Sequence, residues 1–410
     1  MAVNKRNLFG IALTIVLPGL MYGHGFCAVG IDSVSQKNSP LAWAGELTTL
    51  VYERYAVEGT PLLRENYPHD QAYRADYLAE GTDSAPNPYS YLWPFSGMLS
   101  ASNALFETTG DKRYLRMVDD RVLPGLMRYY DDNRAPAGFA SYVNDAEQSD
   151  RFYDDNIWLG IDFAELYLAS GEDRYLDMAE EIWKFVKSGE DDLLGGGIYW
   201  CEQKRTSKNT CSNAPAAVFA FRMFEATRDS LYFYAGKRWY DWTKRHLQDP
   251  EDGLYWDNVN LKSKVDKRKY PYNSGQMLQS AALLYRFTGD AGYLKEAQRI
   301  AASGYAYFFE PFTSPGAQSF RLLKRSNNWF IAVMMRGYVE LYREDGDRRY
   351  LEAFAKNLDY AWNHTRDDNG LFGKSWDSVN QESRKWLLDQ AAMIEMYARI
   401  AGIAGFMAVD

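Results

Sequence analysis

One short phrase recurs five times along the chain and constrains the fold more than any other feature. It reads Thr109-Gly110-Asp111-Lys112-Arg113-Tyr114-Leu115, then Ser170-Gly171-Glu172-Asp173-Arg174-Tyr175-Leu176, then Thr227-Arg228-Asp229-Ser230-Leu231-Tyr232-Phe233. Two more copies follow, Thr288-Gly289-Asp290-Ala291-Gly292-Tyr293-Leu294 and Asp345-Gly346-Asp347-Arg348-Arg349-Tyr350-Leu351. The glycine slot falls at 110, 171, 228, 289 and 346, so the spacing alternates between 61 and 57 residues. A tyrosine stands four residues after every slot, which the 31 tyrosines of the 410-residue chain do not explain by abundance. Gly ends a helix in a left-handed cap, and Asp or Glu opens the next helix at its positive end. Each phrase therefore predicts a tight turn between two helices. A period near 60 suits one helical hairpin plus a long loop.

Strongly apolar segments precede the turns, at 95–106, 157–168, 216–224, 277–287 and 330–342, and a sixth at 387–400 closes the chain. Amphipathic segments follow the turns, such as the one carrying Tyr175, Leu176, Ala179, Ile182, Trp183 and Val186. An opening amphipathic helix at 41–55 is expected to partner the first apolar one. Helices apolar nearly all round must be buried on several sides. Six hairpins with the apolar helices inside predict an all-α (α/α)6 toroid. An open solenoid of the same hairpins would need a polar capping repeat, which the last helix does not provide. The inner-to-outer turns are short, whereas the outer-to-inner connections are long (57–94, 131–154, 189–214, 247–275, 309–328 and 364–386). One rim should thus carry the long loops, where function usually resides. They hold glycine beside aromatics, as at Gly138-Phe139, Gly197-Ile198-Tyr199-Trp200, Gly253-Leu254-Tyr255-Trp256 and Gly370-Leu371-Phe372, with Trp376 nearby. Such a rim suits sugar rings; loop packing is the other reading.

Composition narrows the function. With 46 Lys+Arg against 55 Asp+Glu the net charge is −9, which disfavours nucleic acid as a partner. Four histidines without metal-ligand spacing, and no phosphate-cradling glycine loop, point to no metal and no cofactor. Residues 1–27 have the basic start and short apolar run of an export signal, with Cys27 a candidate lipid-anchor cysteine. The mature chain, 28–410, is read as a single catalytic domain, exported to periplasm, cell surface or medium, with no membrane span and acting as a monomer. In an oxidising compartment Cys201 and Cys211 are expected to form a disulfide around the polar stretch 202–210.

Five Asp-Asp pairs occur, so pairing alone carries little weight. Asp119-Asp120 lie on an outer helix, and Asp131-Asp132, Asp191-Asp192 and Asp367-Asp368 follow outer helices near turns. Asp154-Asp155 alone sits among aromatics, Phe152, Tyr153 and Trp158, at the mouth of an inner helix. A helix N-terminus favours one ionised carboxylate, and a neighbour in a half-dry pocket is pushed to higher pKa. One charged nucleophile and one protonated acid are what a retaining glycosidase requires. The alternative is that either Asp merely caps the helix.

The stretch Phe152-Tyr153-Asp154-Asp155-Asn156-Ile157-Trp158-Leu159 resembles glycoside hydrolase family 76, the endo-α-1,6-mannanases, especially exported bacterial members. Gly195-Gly196-Gly197-Ile198-Tyr199-Trp200, Lys208-Asn209, Ser212-Asn213-Ala214-Pro215 and Tyr272-Asn273-Ser274-Gly275-Gln276-Met277 also fit. The resemblance implies retention of configuration, with Asp154 as nucleophile and Asp155 as general acid/base, acting on α-mannan or mannooligosaccharides. Trp158 followed by Leu159 departs from the two aromatics that many members carry there. Some relatives appear as transglycosidases, so transfer stays open beside hydrolysis, as does a non-catalytic glycan-binding protein on the same ring. In the long loops, Asn209, Asn213, Asn273 and Gln276 could bond sugar hydroxyls, and Tyr199, Trp200, Trp256 and Tyr272 could stack on sugar rings. A histidine-dependent epimerase and a uronate lyase are weaker readings, since His69, His246 and His364 lie at loop or outer-helix positions.

Overall fold

The tight-turn phrase folds as its chemistry dictates. In the computed structural model, which describes residues 39–403 except 71, 76, 78–87, 146–148 and 380–381, all five slots adopt the left-handed conformation. In each, the slot amide donates to a carbonyl four residues back, as Gly110 does to Phe106 and Gly171 to Tyr167. Asp111, Asp229 and Asp290 then cap the next helix through their carboxylates. Arg228 fills the third slot at φ 61°, a conformation that costs a side chain about 1–2 kcal/mol. The repeated tyrosine reaches back to the preceding outer helix: Tyr175 donates to Asp119, and Tyr232, Tyr293 and Tyr350 meet Trp183, Tyr240 and Tyr305 edge-on. It spaces the outer helices, which explains its fixed offset.

The helices are α1 (Pro40–Tyr55), α2 (Leu92–Thr109), α3 (Lys112–Met117), α4 (Leu123–Leu126), α5 (Tyr153–Ser170), α6 (Asp173–Ser188) and α7 (Thr210–Thr227). Then come α8 (Ser230–Leu247), α9 (Pro271–Thr288), α10 (Ala291–Phe308), α11 (Asn328–Asp345), α12 (Arg349–His364) and α13 (Leu387–Ala401). A π-helical turn, Val118–Val122, joins α3 to α4 into one outer helix. Helices α2, α5, α7, α9, α11 and α13 pack each on the next, and α13 returns to α2, closing the (α/α)6 toroid. The opening helix α1 does not partner α2 as expected. It packs on α13, because α2 already has α3–α4 and the last inner helix has no outer helix after it. Helix α7 begins at Thr210 rather than at 216, with Pro215 inside its second turn. Among the described residues no helix is long and apolar enough to cross a membrane. The leader expected over 1–27, with Cys27, lies outside the described residues.

The long connections carry short strands: β1 (Asn66–Tyr67), β2 (Tyr130–Asp131), β3 (Gly138–Phe139), β4 (Ser207–Asn209), β5 (Trp256–Asn260), β6 (Val265–Lys269), β7 (Phe309–Thr313), β8 (Ser319–Leu323) and β9 (Lys385–Trp386). Strands β4, β5 and β6 form a three-stranded antiparallel sheet, and β1 pairs with β9 across the chain ends. The glycine-aromatic segments serve mainly as tethers, and of their aromatics Trp200 faces the cavity at the ring's mouth. Phe139, Ile198, Leu254, Tyr255, Leu371, Phe372 and Trp376 are buried. A polar side chain near the start of the following inner helix bonds each segment's backbone. Asn156 takes the Phe139 amide and donates to its carbonyl (2.7 and 2.9 Å), and Asn213 does the same for Ile198 (2.7 and 2.9 Å). Gln390 does so for Phe372, and Ser274 accepts from Tyr255. Buried backbone groups need such partners, and the loops are fixed to the helices they precede.

Candidate active site

Asp154 and Asp155 occupy the first turn of α5. Neither is the N-cap, a position held by Phe152 without a side-chain bond. The start of α5 is anchored from three sides. The Tyr153 amide donates to the Trp200 carbonyl (2.9 Å), Phe152 bridges Cys201, and Asn156 ties to Phe139 and to the Phe152 carbonyl. Both aspartates open into a cavity of about 620 Å³ at the mouth of the ring. Its walls include Tyr91, Trp93, Ser141, Trp158, Trp200, Asn209, Cys211, Asp257, Arg268, Tyr270, Tyr272, Trp329 and Phe330. Among the described residues no histidine lines it.

The two carboxylates are unequal. The Asp154 carboxylate receives three hydrogen bonds: on Oδ2 from the Trp200 indole (2.9 Å) and the Cys211 thiol (3.3 Å), on Oδ1 from the Asp155 amide (3.1 Å). Burial raises its pKa to about 6, with the thiol and indole bonds pulling the other way. Asp155 has no such donors among the described residues; burial first, then the charge of Asp154, push it well above the ordinary carboxylate range. Among the described residues no lysine or arginine neutralises either one. The arrangement thus makes Asp155 the harder of the two to ionise.

The other expected site residues divide. Trp200, Asn209 and Tyr272 line the cavity, Trp200 through its bond to Asp154 and Tyr272 stacked on Phe330 at 4.0 Å between centroids. Tyr199 does not: it is buried and donates to Asp191 (2.7 Å), beside the Lys208 ammonium. Asn213 is the tether of Ile198. Trp256 turns away and donates to Asp249 (3.1 Å). Asn273 and Gln276 are buried and do not line the cavity, Gln276 donating to Gln279 (2.8 Å). Cys201 and Cys211 are not joined; both are free and buried. The thiols serve separate elements, Cys201 beside Gln203 (3.8 Å) in the bridge to Phe152 and Cys211 against Asp154. None of the other four Asp pairs reaches the cavity; Asp131 and Asp191, for example, are spent on Arg134 and Lys208.

Sequence reasoning missed most of the wall. Trp93, Tyr272 and Trp329 are each the second residue of an inner helix, so an aromatic at that register was a readable signal. Asp257 had none. It projects from β5, bonded by Asn258 (3.0 Å) and 3.6 Å from Arg268, and burial raises its pKa.

Residues 71–404 match the family model for glycosyl hydrolase family 76. Among solved structures, the chain is similar to a family 76 glycoside hydrolase (mannosidase) of Bacteroides thetaiotaomicron. Identity is 32% and the TM-score 0.81, covering 88% of this chain and 98% of that one. It is also similar to an inactive variant of the α-1,6-mannanase of Salegentibacter sp. HEL1_6, with two consecutive aspartates changed to asparagine, in complex with α-1,6-mannotriose. There identity is 26% and the TM-score 0.71, covering 89% of this chain and all (100%) of that one. A mannan endo-1,6-alpha-mannosidase of Candida glabrata is 25% identical over 235 residues, 53% of this chain and 50% of that protein. The chain spans about half the length of the curated relatives it matches.

Proposed function

Because the chain belongs to glycosyl hydrolase family 76, we propose that it is a retaining glycosidase that cleaves α-1,6-mannosidic linkages within mannan through a mannosyl-aspartate intermediate. The observation that carries this reading is the inequality of the two buried carboxyls. Asp154, holding three donors and the lower pKa, is the nucleophile; Asp155, without donors and with the higher pKa, is the acid. A mannose unit sits over the pair with its anomeric carbon facing Asp154. Asp155 gives its proton to the departing O6 as a carboxylate oxygen of Asp154 bonds to the carbon. Asp155, now ionised, takes a proton from water, which displaces Asp154 and restores both groups. The aromatic wall of Trp93, Tyr272, Trp329 and Phe330 supports stacked sugar rings, and Asn209, Asp257 and Arg268 supply groups for hydroxyls.

Incubation with linear α-1,6-mannooligosaccharides tests the reading. The expected products are shorter oligosaccharides released first as α-anomers. Release of β-anomers would remove the covalent step, and transfer to added mannose acceptors without net hydrolysis would make the protein a transglycosidase. Binding without turnover would make it a glycan-binding protein. Export to the periplasm, surface or medium belongs to the same proposal, since mannan is an external polymer; cell fractionation checks it.

A further inference from the structure

The expected disulfide is absent, and one of its two cysteines stands in the cavity against an acid. Cys211 is the second residue of α7, and the helix start beneath it is fixed by the pairing of Asn209 with Asn258 and by the Thr210 hydroxyl donating to the Trp256 carbonyl (2.5 Å). Trp200 is fixed just as firmly, its carbonyl accepting from Tyr153 and its amide donating to Ser207 (3.3 Å). The two donors thus come from separate segments, both tied to β4, and converge on one oxygen, Oδ2 of Asp154, at 2.9 and 3.3 Å.

Both groups present a hydrogen to the carboxylate. An indole N–H only donates. The thiol is buried beside the Asp154 charge, and both effects keep it protonated across the neutral range. We propose that Trp200 and Cys211 are paired positioning residues that hold Asp154 in one orientation, keep it charged, and reserve Oδ1 for attack on the sugar. This rests on the reading of Asp154 as nucleophile. In the first step the C1–Oδ1 bond forms as the C1–O6 bond breaks and the Asp155 proton moves to O6. Oδ2 becomes an ester carbonyl that retains both donors, and in the second step they stabilise the carboxylate as it departs.

The titratable groups facing Asp154 are Asp155 on its own helix, Cys211 on α7, Asp257 on β5 and Tyr272 on α9, with Arg268 of β6 facing Asp257. None is a cation in contact with Asp154, so hydrogen bonds favour its charge, the Cys211 and Trp200 side chains first and the backbone amides of Asp155 and Asp154 after them. Removing either should raise its pKa.

The test is a carbon-13 carboxyl titration of the full chain, compared for wild type, Cys211→Ala, Cys211→Ser and Trp200→Phe. The Asp154 signal should titrate near 6 in wild type and about half a unit or more higher in Cys211→Ala and Trp200→Phe. Cys211→Ser, which keeps an O–H donor, should return toward wild type. The acidic limb of mannan cleavage should move with the signal, so that at pH 5 Cys211→Ala is slower than Cys211→Ser by about threefold or more. If the Asp154 midpoint is unchanged in folded Trp200→Phe and in folded Cys211→Ala, the proposal is overturned, and one well-folded variant suffices to decide it. Because the titration needs no substrate, wild type that fails to cleave mannan yet shows the shift would remove the mannanase reading and leave the carboxylate's positioning intact.

Discussion

The ring buries carboxylates at both ends of its axis and treats them in opposite ways. At the loop-bearing mouth, Asp154 and Asp155 lie in a cavity whose Arg268 faces Asp257 rather than them, and both are raised, Asp154 to about 6. Toward the far end, Glu340 and Glu395 are equally buried but lowered, Glu395 to about 2. The difference is arginine. Arg336 holds Glu395 through two bonds (2.6 and 2.8 Å), Arg399 adds a third (2.7 Å), and Arg222 pairs with Glu340. Asp162, two turns below Asp155 on α5, lies between the regimes: burial raises it to about 7, although Arg336 stands 3.8 Å away. Burial thus raises a carboxyl unless arginines bond it closely, as they do at Glu340 and Glu395; Arg336 at 3.8 Å does not suffice at Asp162.

The largest effect that would break this contrast is loss of the mouth pair. Asp154→Asn and Asp155→Asn should each reduce mannan cleavage by at least ~10³-fold, with the thermal melt unchanged or raised, whereas Asp162→Asn should stay within tenfold of wild type, a limit of roughly 1.4 kcal/mol. Reducing-end release measures all three. Full activity in either mouth variant would remove the assigned pair.

Next in size, Arg336→Met should destabilise the fold by about 3 kcal/mol or more in urea titrations, because it strands Glu395 with Arg399 alone. No such loss should follow Asp155→Asn.

The pH dependence of stability should carry both signs. Glu395 and Glu340 have folded pKa values below their ordinary 4.5, so their contribution is present above that value and lost as pH falls from about 4.5 toward 2. Asp154 and Asp162 are raised from 3.8, so theirs is full below that value and lost as pH climbs through about 6 and 7. Urea titrations from pH 3 to 8 should show stability declining on the alkaline side in wild type and less so in Asp154→Asn. Activity follows the same groups: cleavage should fall below about pH 6 as Asp154 protonates, and fall again at high pH as Asp155 ionises.

Smaller still, Asn213→Ala should cost about 1–3 kcal/mol by orphaning the buried Ile198 backbone. Arg228→Gly should stabilise by about 0.5–1 kcal/mol, as it relieves the left-handed strain and gives some of that back in chain entropy.

Much of the ring was legible because its signals are short-range. A glycine cap, an aspartate start and a helical apolar period act within a few residues, so the six hairpins and the Asp154-Asp155 pair could be read directly. Other readings failed where the decisive partner is remote in sequence. Cys201 and Cys211 suggested a bridge, yet Cys211 faces an acid 57 residues away. Tyr199 and Trp256 looked like sugar platforms, yet their polar atoms are taken by Asp191 and Asp249. The opening helix found its partner at the other end of the chain.

The sequence by itself determined the number of hairpins, the closed ring, the rim that bears the loops and the acids at one helix mouth, since local turn chemistry and hydrophobic periodicity suffice for these. Only the tertiary structure decided which groups look into the cavity and which carboxyls are neutralised. Closing the ring brings Trp93, Asp257 and Trp329 beside Asp154, and the electrostatic state of a buried acid depends on neighbours that no local pattern records.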